Sequence, residues 1–200
     1  DPHFGTESDL KRLVTMAHDR GIRVILDAVF NHTGREFFAF RDILENGEES
    51  RYRDWYHINR FPVHPESRDA YRTYGGYASM PKLNTANPAV AAYLMEVVRY
   101  WKTRCAIDGW RIDAADQVSH EFWRLLRRTV KECNPDALIV GEIWNDASAY
   151  LEGDQFDTVM NYPFMQAAVA FVRDGELSAE DFVRAAGVTH ARYRNGPAGI

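Results

Sequence analysis

Residues 107–113 read Ile-Asp-Gly-Trp-Arg-Ile-Asp. A short, mostly apolar run of this kind predicts a strand that is buried in a sheet. Arg111 and Asp113 lie two positions apart, so on a strand their side chains project from the same face. A guanidinium beside a buried carboxylate stabilises the ionised form, and an ionised carboxylate can act as a nucleophile. The stretch therefore predicts a core strand with a reactive group at its end.

The segments on either side of this strand alternate between strand and helix patterns. Polar residues fall at the carboxyl ends of three predicted strands, where Asp27, Asp113 and Glu142 are found. Alternation of this kind predicts a parallel sheet with helices outside. A doubly wound sheet and a β/α barrel both satisfy it, and the polar strand ends favour the barrel, whose active site lies at that face. The predicted strands are 22–30, 107–113, 137–143 and 156–160.

Capping residues mark where three of the predicted helices begin. Thr6 and Asp9 have the spacing of a capping box, and Asn87 followed by Pro88 is a good N-cap with a first-turn proline. Ser119 opens the next helix. These signals support the helical part of the alternation.

One long segment breaks the alternation. Residues 33–84 are rich in Arg, Tyr, Gly and Pro and show little helical periodicity. A structureless loop of this length is uncommon in a compact domain, so we predict a small inserted subdomain. The fold class is therefore α/β: a partial (β/α)8 TIM barrel formed by 1–32 and 85–200, with the subdomain inserted after a strand.

Composition excludes several classes of protein. The chain is 46% hydrophobic, carries a formal net charge of −5, and has no stretch rich in Lys and Arg. Nucleic acid and anionic membranes are therefore not expected as partners. Cys105 and Cys133 form neither a disulfide framework nor a metal knuckle, and we predict two buried thiols. The chain lacks a signal peptide; the cytoplasm is the expected compartment, and secretion stays open because the first residue is not Met.

Glu142 has a different environment from Asp113 along the chain. It follows the apolar run 138–140 and precedes Ile143 and Trp144. Apolar neighbours raise the pKa of a carboxyl group, which suits a general acid that works near pH ~6–7. Glycoside hydrolysis requires two carboxyl groups whose pKa values are shifted in opposite directions. Spacing alone leaves open a structural Arg–carboxylate pair with a strand-end Glu.

Asp27, Asn31 and His32 lie where another predicted strand ends. A metal site is one interpretation, but the spacing matches no zinc template. A single His with one carboxylate suits hydrogen bonding to hydroxyl groups better, and a structural loop histidine is the remaining alternative. The chain has no Gly-rich phosphate loop and no Gly-x-Ser-x-Gly elbow.

Several short segments resemble signatures of the α-amylase family of glycoside hydrolases. Residues 27–32 (Asp-Ala-Val-Phe-Asn-His), 109–115 (Gly-Trp-Arg-Ile-Asp-Ala-Ala) and 141–144 (Gly-Glu-Ile-Trp) resemble three of them in order. Residues 80–84 (Met-Pro-Lys-Leu-Asn) resemble the extra signature of the branch with neopullulanase, cyclomaltodextrinase and maltogenic amylase. Within that fold the chain would run from about the third strand to the sixth helix.

The resemblance implies a role for each matching position. Asp113 would attack the anomeric carbon, Arg111 would keep it ionised and aligned, and Glu142 would act as acid and then base. His32 would bind sugar hydroxyls, and Asp27 would support the strand ends. No cofactor is implied as required; calcium is an option, because Asn31 corresponds to a calcium ligand in many α-amylases, although this branch often lacks that ion.

The resemblance also implies residues on the acceptor side of the cleft. Trp144 would be a stacking platform, with a core tryptophan as the alternative, and Asn84 would line the cleft. Asp116, Gln117 and Asn145 depart from residues common in the branch, which puts linkage preference and transfer activity in doubt.

The implied function is hydrolysis of α-1,4 bonds in cyclodextrins, maltooligosaccharides, pullulan or starch. The expected partner is this α-glucan substrate, and a homodimer of the full-length protein is a further expectation. A transglycosylase on the same scaffold and a binding protein without turnover are the alternatives. They differ in whether water, a sugar hydroxyl or nothing resolves a covalent intermediate.

Overall fold

A computed structural model describes residues 2–64 and 69–192, with side chains to residue 188. Residues 1, 65–68 and 193–200 of the predicted segments therefore lie outside the described part. One sheet holds four parallel strands in chain order, β1-β2-β3-β4. The strands are β1 (Ile25–Ala28), β2 (Gly109–Ile112), β3 (Leu138–Gly141) and β4 (Thr158–Val159). The helices are α1 (Glu7–His18), α2 (Phe38–Asn46), α3 (Pro88–Cys105), α4 (His120–Cys133), α5 (Tyr162–Val172) and α6 (Ala179–Arg192).

The connections between strands confirm the barrel segment. α3 joins β1 to β2 and α4 joins β2 to β3, so each crossover places a helix between parallel neighbours. α4 turns its apolar side inward, and Phe122, Leu126 and Val130 are buried in the core. β1 is shorter than the apolar run that predicted it, because the chain beyond Ala28 leaves the ladder toward the insert. Four parallel strands in chain order with helices between them are the arrangement predicted for a segment of a (β/α)8 barrel.

The predicted helix starts are confirmed in detail. The Thr6 hydroxyl accepts from the Asp9 N–H, and the Asp9 carboxylate accepts from the Thr6 N–H, which completes the capping box. Asn87 caps α3 with Pro88 in its first turn, and Ser119 caps α4. Each cap satisfies N–H groups that the helix itself leaves without partners.

The insert contains a helix that the sequence pattern did not predict. In α2, Ala39, Phe40 and Ile43 are buried, and they give only one inward turn over nine residues. So short a helix has too few repeats for its periodicity to stand out. Single antiparallel bridges hold the rest of the insert together, including His32 with Lys82 and Tyr56 with Leu83.

Two glycines lie where strands and side chains approach closely. A Cβ on Gly109 would lie 2.1 Å from the carbonyl oxygen of Leu138, and one on Gly141 would lie 2.6 Å from the ring of Phe156. The positions therefore demand glycine for space.

The cysteine prediction is half wrong. Cys105 is buried, but Cys133 is exposed at the last position of α4, where the helix leaves the core. In the described residues, no helix is long and apolar enough to cross a membrane.

Candidate active site

The guanidinium of Arg111 lies among three carboxylates at the carboxyl ends of the strands. Its Nη1 is 2.7 Å from Asp27 Oδ1 and 2.7 Å from Asp113 Oδ1, and its Nη2 is 2.9 Å from Glu142 Oε2. The side chains of Asp113 and Glu142 are 22% and 12% exposed, so both are mostly shielded while part of each stays accessible. One fixed fork of N–H donors therefore sets the positions of both predicted reactive groups.

The strand register explains why these residues meet. Asp27 on β1 is the direct partner of Arg111 on β2. The Asp113 N–H donates to Ala28 O at 3.1 Å and the Glu142 N–H donates to Ile112 O at 2.9 Å, so each follows its strand without a break in the ladder. The parallel ladder thus brings together the predicted group of polar side chains, namely Asp27, Arg111, Asp113 and Glu142.

Ala114, directly after Asp113, has an unusual backbone. Its φ is 45° and its ψ is 47°, the left-handed region that residues other than glycine seldom adopt. In this conformation its N–H donates to Glu142 Oε2 at 2.9 Å, and the next N–H, of Ala115, donates to Glu142 O at 3.1 Å. The turn after β2 therefore fixes Glu142 through both its backbone and its side chain.

The electrostatics of Glu142 contradict the prediction from its apolar neighbours. Burial does raise the pKa of this carboxyl group. The hydrogen bond from Ala114, the charge of Arg111 and hydrogen bonds from Tyr162 and Trp144 outweigh burial, so the pKa is below its ordinary value. The expectation was wrong because the sequence shows chain neighbours, whereas the hydrogen bond of Ala114 and the charge of Arg111 come from the adjacent strand and the turn after it. Burial disfavours the charge of Arg111, but its hydrogen bonds to Asp27 and Asp113 prevail and raise its pKa.

His32 lies at the edge of the insert, against an aromatic ring. Its imidazole stacks on Tyr74, with ring centroids 4.8 Å apart and planes 4° from parallel. Burial lowers the pKa of His32, and Lys82 lowers it further, while the charge of Asp113 opposes both. The ring is therefore favoured in its neutral form, which both donates and accepts hydrogen bonds and suits contact with sugar hydroxyls. Tyr74 was not predicted, because the sequence around it is irregular.

Trp144 has an aromatic partner that the sequence analysis also missed. Its indole is 49% exposed and stacks on Tyr162, with centroids 3.7 Å apart and planes 16° from parallel. The exposure removes the alternative of a core tryptophan. The Tyr162 hydroxyl also donates to Glu142 Oε1 at 3.3 Å. A hint was available, since Tyr162 lies two residues after the predicted fourth strand, at the face where the other polar residues gather.

The remaining predicted residues lie around this centre. Asp116 and Gln117 are exposed in the turn after β2, and Asn145 is exposed in the loop after β3. Lys82 donates to the carbonyl of Gln117 at 2.9 Å and so connects the insert to that turn. Asn84 is not joined to the carboxylates by a described contact; its amide donates to Asp54 O at 3.2 Å inside the insert.

The surroundings of Asn31 bear on calcium. Its Oδ1 is buried without a hydrogen-bond partner, which is one oxygen that a cation could use. However, the described residues contain no group of three or more Asp, Glu, His or Cys side chains able to hold a metal ion. The charge of Lys82 lowers the pKa of the neighbouring His32, so a positive charge already acts on this part of the chain. Among the described residues, one unpaired oxygen without a cluster of acidic side chains is a poor match to the roughly six to eight oxygen ligands of calcium.

Comparison with known proteins gives a consistent set of similarities. A sequence model of the family described as alpha amylase, catalytic domain, matches residues 1–192. Neopullulanase 2 of Thermoactinomyces vulgaris is 56% identical over 183 residues, which are 91% of this chain and 31% of that protein. A cyclomaltodextrinase of Bacillus sp is 53% identical over 185 residues, 91% of this chain and 33% of that protein. The chain thus spans about a third of the length of these relatives.

Solved structures show the same relationship in three dimensions. A structure of a cyclomaltodextrinase matches with a TM-score of 0.92 at 50% identity, over 96% of this chain and 33% of that one. The cyclic α-maltosyl-(1→6)-maltose hydrolase of Arthrobacter globiformis matches with a TM-score of 0.91 at 37% identity, over 94% and 42% of the two chains.

Proposed function

The chain belongs to the α-amylase family, and from that membership we propose that the protein containing it is a retaining glycoside hydrolase of α-1,4-linked glucans. Its substrates are cyclodextrins, maltooligosaccharides, pullulan or starch. The names of the similar proteins, neopullulanase and cyclomaltodextrinase, support this substrate class. The observation that carries the proposal is the sharing of one arginine by Asp113 and Glu142.

The chemistry follows from that arrangement. Arg111 binds Asp113 Oδ1, which leaves Oδ2 to attack the anomeric carbon of the sugar. Glu142 gives its proton to the departing oxygen, and the bond between that oxygen and the anomeric carbon breaks. Glu142 then takes a proton from water, and the resulting hydroxide releases the sugar from Asp113. Two inversions return the original α configuration.

The test separates the two carboxylates by role. Glu142→Gln should turn over glucosyl fluoride only to a glycosyl-enzyme, since fluoride leaves without an acid but release lacks its base. Added azide needs no base and should displace Asp113 from the β-linked glycosyl-enzyme with inversion, which yields the α-glycosyl azide. Asp113→Asn should be inactive on every substrate and unaffected by azide. A β-azide product from Glu142→Gln together with an α-azide product from Asp113→Asn would show that the roles are exchanged.

The alternatives differ in measurable ways. A transglycosylase would yield oligomers longer than the substrate at high maltotriose concentration. A binding protein would yield no product, and the joint presence of Arg111, Asp113 and Glu142 in contact argues against it. In either reaction we expect Trp144 and the turn with Asp116 to contact the acceptor sugar.

A further inference from the structure

The two oxygens of the Glu142 carboxylate have different surroundings. Oε2 receives Arg111 Nη2 at 2.9 Å and the Ala114 N–H at 2.9 Å. Oε1 receives the Tyr162 hydroxyl at 3.3 Å, a longer and weaker hydrogen bond. The shorter described hydrogen bonds therefore hold Oε2, Tyr162 makes the longer one to Oε1, and Trp144 adds a further hydrogen bond to the carboxylate.

This asymmetry determines which oxygen can carry a proton. A proton on Oε2 would face two N–H donors, one of them on a cation, and neither donor can accept a hydrogen bond. A proton on Oε1 faces a hydroxyl group, whose oxygen can accept as readily as it donates. Protonation at Oε1 thus leaves both hydrogen bonds of Oε2 in place.

Tyr162 is itself held in position by the fold. It is the first residue of α5, and its ring stacks on Trp144 at 3.7 Å between centroids. Burial and the negative charge of Glu142 raise the pKa of its hydroxyl, so the group remains a donor at neutral pH. The stacked ring leaves the hydroxyl little freedom to leave Oε1.

We propose that Oε1 of Glu142 is the oxygen that exchanges protons with substrate and water, and that Tyr162 is the positioning residue that aims it. This inference rests on the proposed hydrolase function. In the first half-reaction the proton leaves Oε1 for the glycosidic oxygen as the sugar transfers to Asp113. In the second half-reaction Oε1 accepts a proton from the attacking water. Tyr162 keeps its own proton throughout and only changes the direction of its hydrogen bond.

The effect of Tyr162 on pH dependence has a definite sign. The charged and titratable groups that face Glu142 in the described residues are Arg111, Asp113, Tyr74 and Tyr162. Donation by Tyr162 stabilises the ionised form of Glu142, so its loss raises the pKa of Glu142. The protonated acid then persists to higher pH.

The experiment compares Tyr162→Phe with wild type in the full-length enzyme. Phenylalanine keeps the stacking ring and removes only the hydroxyl. The alkaline limb of kcat/KM on a cyclodextrin should move up by about 0.5–1 pH unit, the worth of one hydrogen bond. The kcat should fall about 10-fold, part of what a general acid contributes. Formation of the glycosyl-enzyme from glucosyl fluoride, which needs no acid, should change less than about 2-fold.

A matched control is available on the outer helices. Tyr100 donates its hydroxyl to the Glu7 carboxylate far along the chain from Glu142, so Tyr100→Phe deletes a hydrogen bond of the same type. This variant should leave the pH profile unchanged. Tyr162→Leu removes ring and hydroxyl together, and should add a rise in KM to the effects of Tyr162→Phe.

A second measurement does not depend on the phenylalanine variant folding. Incorporation of 3-fluorotyrosine at position 162 makes the hydroxyl a stronger donor, and should move the alkaline limb down. Profiles that coincide for wild type and Tyr162→Phe, or a fluorotyrosine shift in the upward direction, would overturn the inference. A wild-type enzyme that releases no sugar from any α-glucan would instead overturn the proposed function.

Discussion

At the scale of single residues, the left-handed Ala114 offers a test of how the turn after β2 is held. This conformation costs an L-residue about 1–2 kcal/mol. Ala114→Gly removes that cost but adds backbone freedom to the unfolded chain, so the free energy of unfolding should stay within about 1 kcal/mol of wild type. Ala114→Val places a β-branched residue in the left-handed region, where such residues are true outliers. It should lower the free energy of unfolding by about 1–3 kcal/mol. Urea unfolding measures both; equal stability of the two variants would contradict a left-handed residue 114.

The lowered pKa of His32 predicts a dependence of stability on pH. The folded state resists protonation of this ring. The contribution of His32 to the free energy of unfolding is therefore complete above the unfolded pKa of about 6.5. The contribution is lost as the pH falls from there through the folded pKa. The advantage of wild type over His32→Gln in unfolding free energy should therefore shrink between about pH 7 and pH 5. His64→Gln, at an exposed position, serves as the control; an advantage that grows on acidification would refute the prediction.

Glu142 shows where residue-level prediction succeeded and where it failed. Its place at a strand end was readable from the apolar run before it, and so was its pairing with Asp113 across the sheet edge. The direction of its pKa was not readable, because Arg111 and Ala114 approach it only after the strands align. Tyr162 and Tyr74 escaped prediction for the same reason, since their contacts join segments remote in sequence.

At the scale of elements, Gly109 controls the distance between β2 and β3. An added Cβ would lie 2.1 Å from the carbonyl oxygen of Leu138, and backbone cannot yield as a flexible side chain can. Gly109→Ala should lower the free energy of unfolding by about 3 kcal/mol, the upper end of overpacking effects. Gly34→Ala is the matched control, because its Cβ would meet nothing within 4 Å. Thermal unfolding compares the two, and similar melting temperatures would refute the close approach.

Lys82 makes a hydrogen bond from the insert to the turn that carries Asp116 and Gln117. Burial lowers the pKa of its ammonium, and Asp116 partly offsets this. Lys82→Met keeps the stem of the side chain and removes the contact with Gln117 O. We expect faster amide exchange near residues 80–84 and a higher KM, with kcat less affected. Lys11→Met, on the exposed side of α1, should change neither; unchanged exchange in Lys82→Met would show that the insert is held by other contacts.

Element boundaries were predicted unevenly, for physical reasons. α3 and α4 could be placed because a side-chain cap precedes a long periodic stripe. β1 was predicted too long, because an apolar run continues past the last residue that has a ladder partner. α2 was missed because one buried turn leaves little periodicity, and α6 was not predicted at all.

At the scale of the whole molecule, the poor fit of the Asn31 region to calcium predicts metal-independent activity. We propose that the enzyme needs no metal, since the residues that react are carboxylates held by Arg111. Prolonged treatment with EDTA should leave kcat and the melting temperature of the full-length enzyme unchanged. Loss of activity that calcium restores would place a structural ion near Asn31. Restoration by zinc alone would contradict the proposed chemistry.

The arrangement of three carboxylates around one guanidinium has a consequence for the charge of inhibitors. The carboxylates are those of Asp27, Asp113 and Glu142. With all three carboxylates ionised, three negative charges and one positive charge leave a formal charge of −2 in a partly shielded cleft. Such a field attracts cations and repels anions, and low local polarity strengthens both effects. Sugar mimics whose ring nitrogen is protonated should occupy the cleft better than neutral ones of the same shape. Uronic acids and glucose phosphates should bind weakly because they are anions, although their rings would fit.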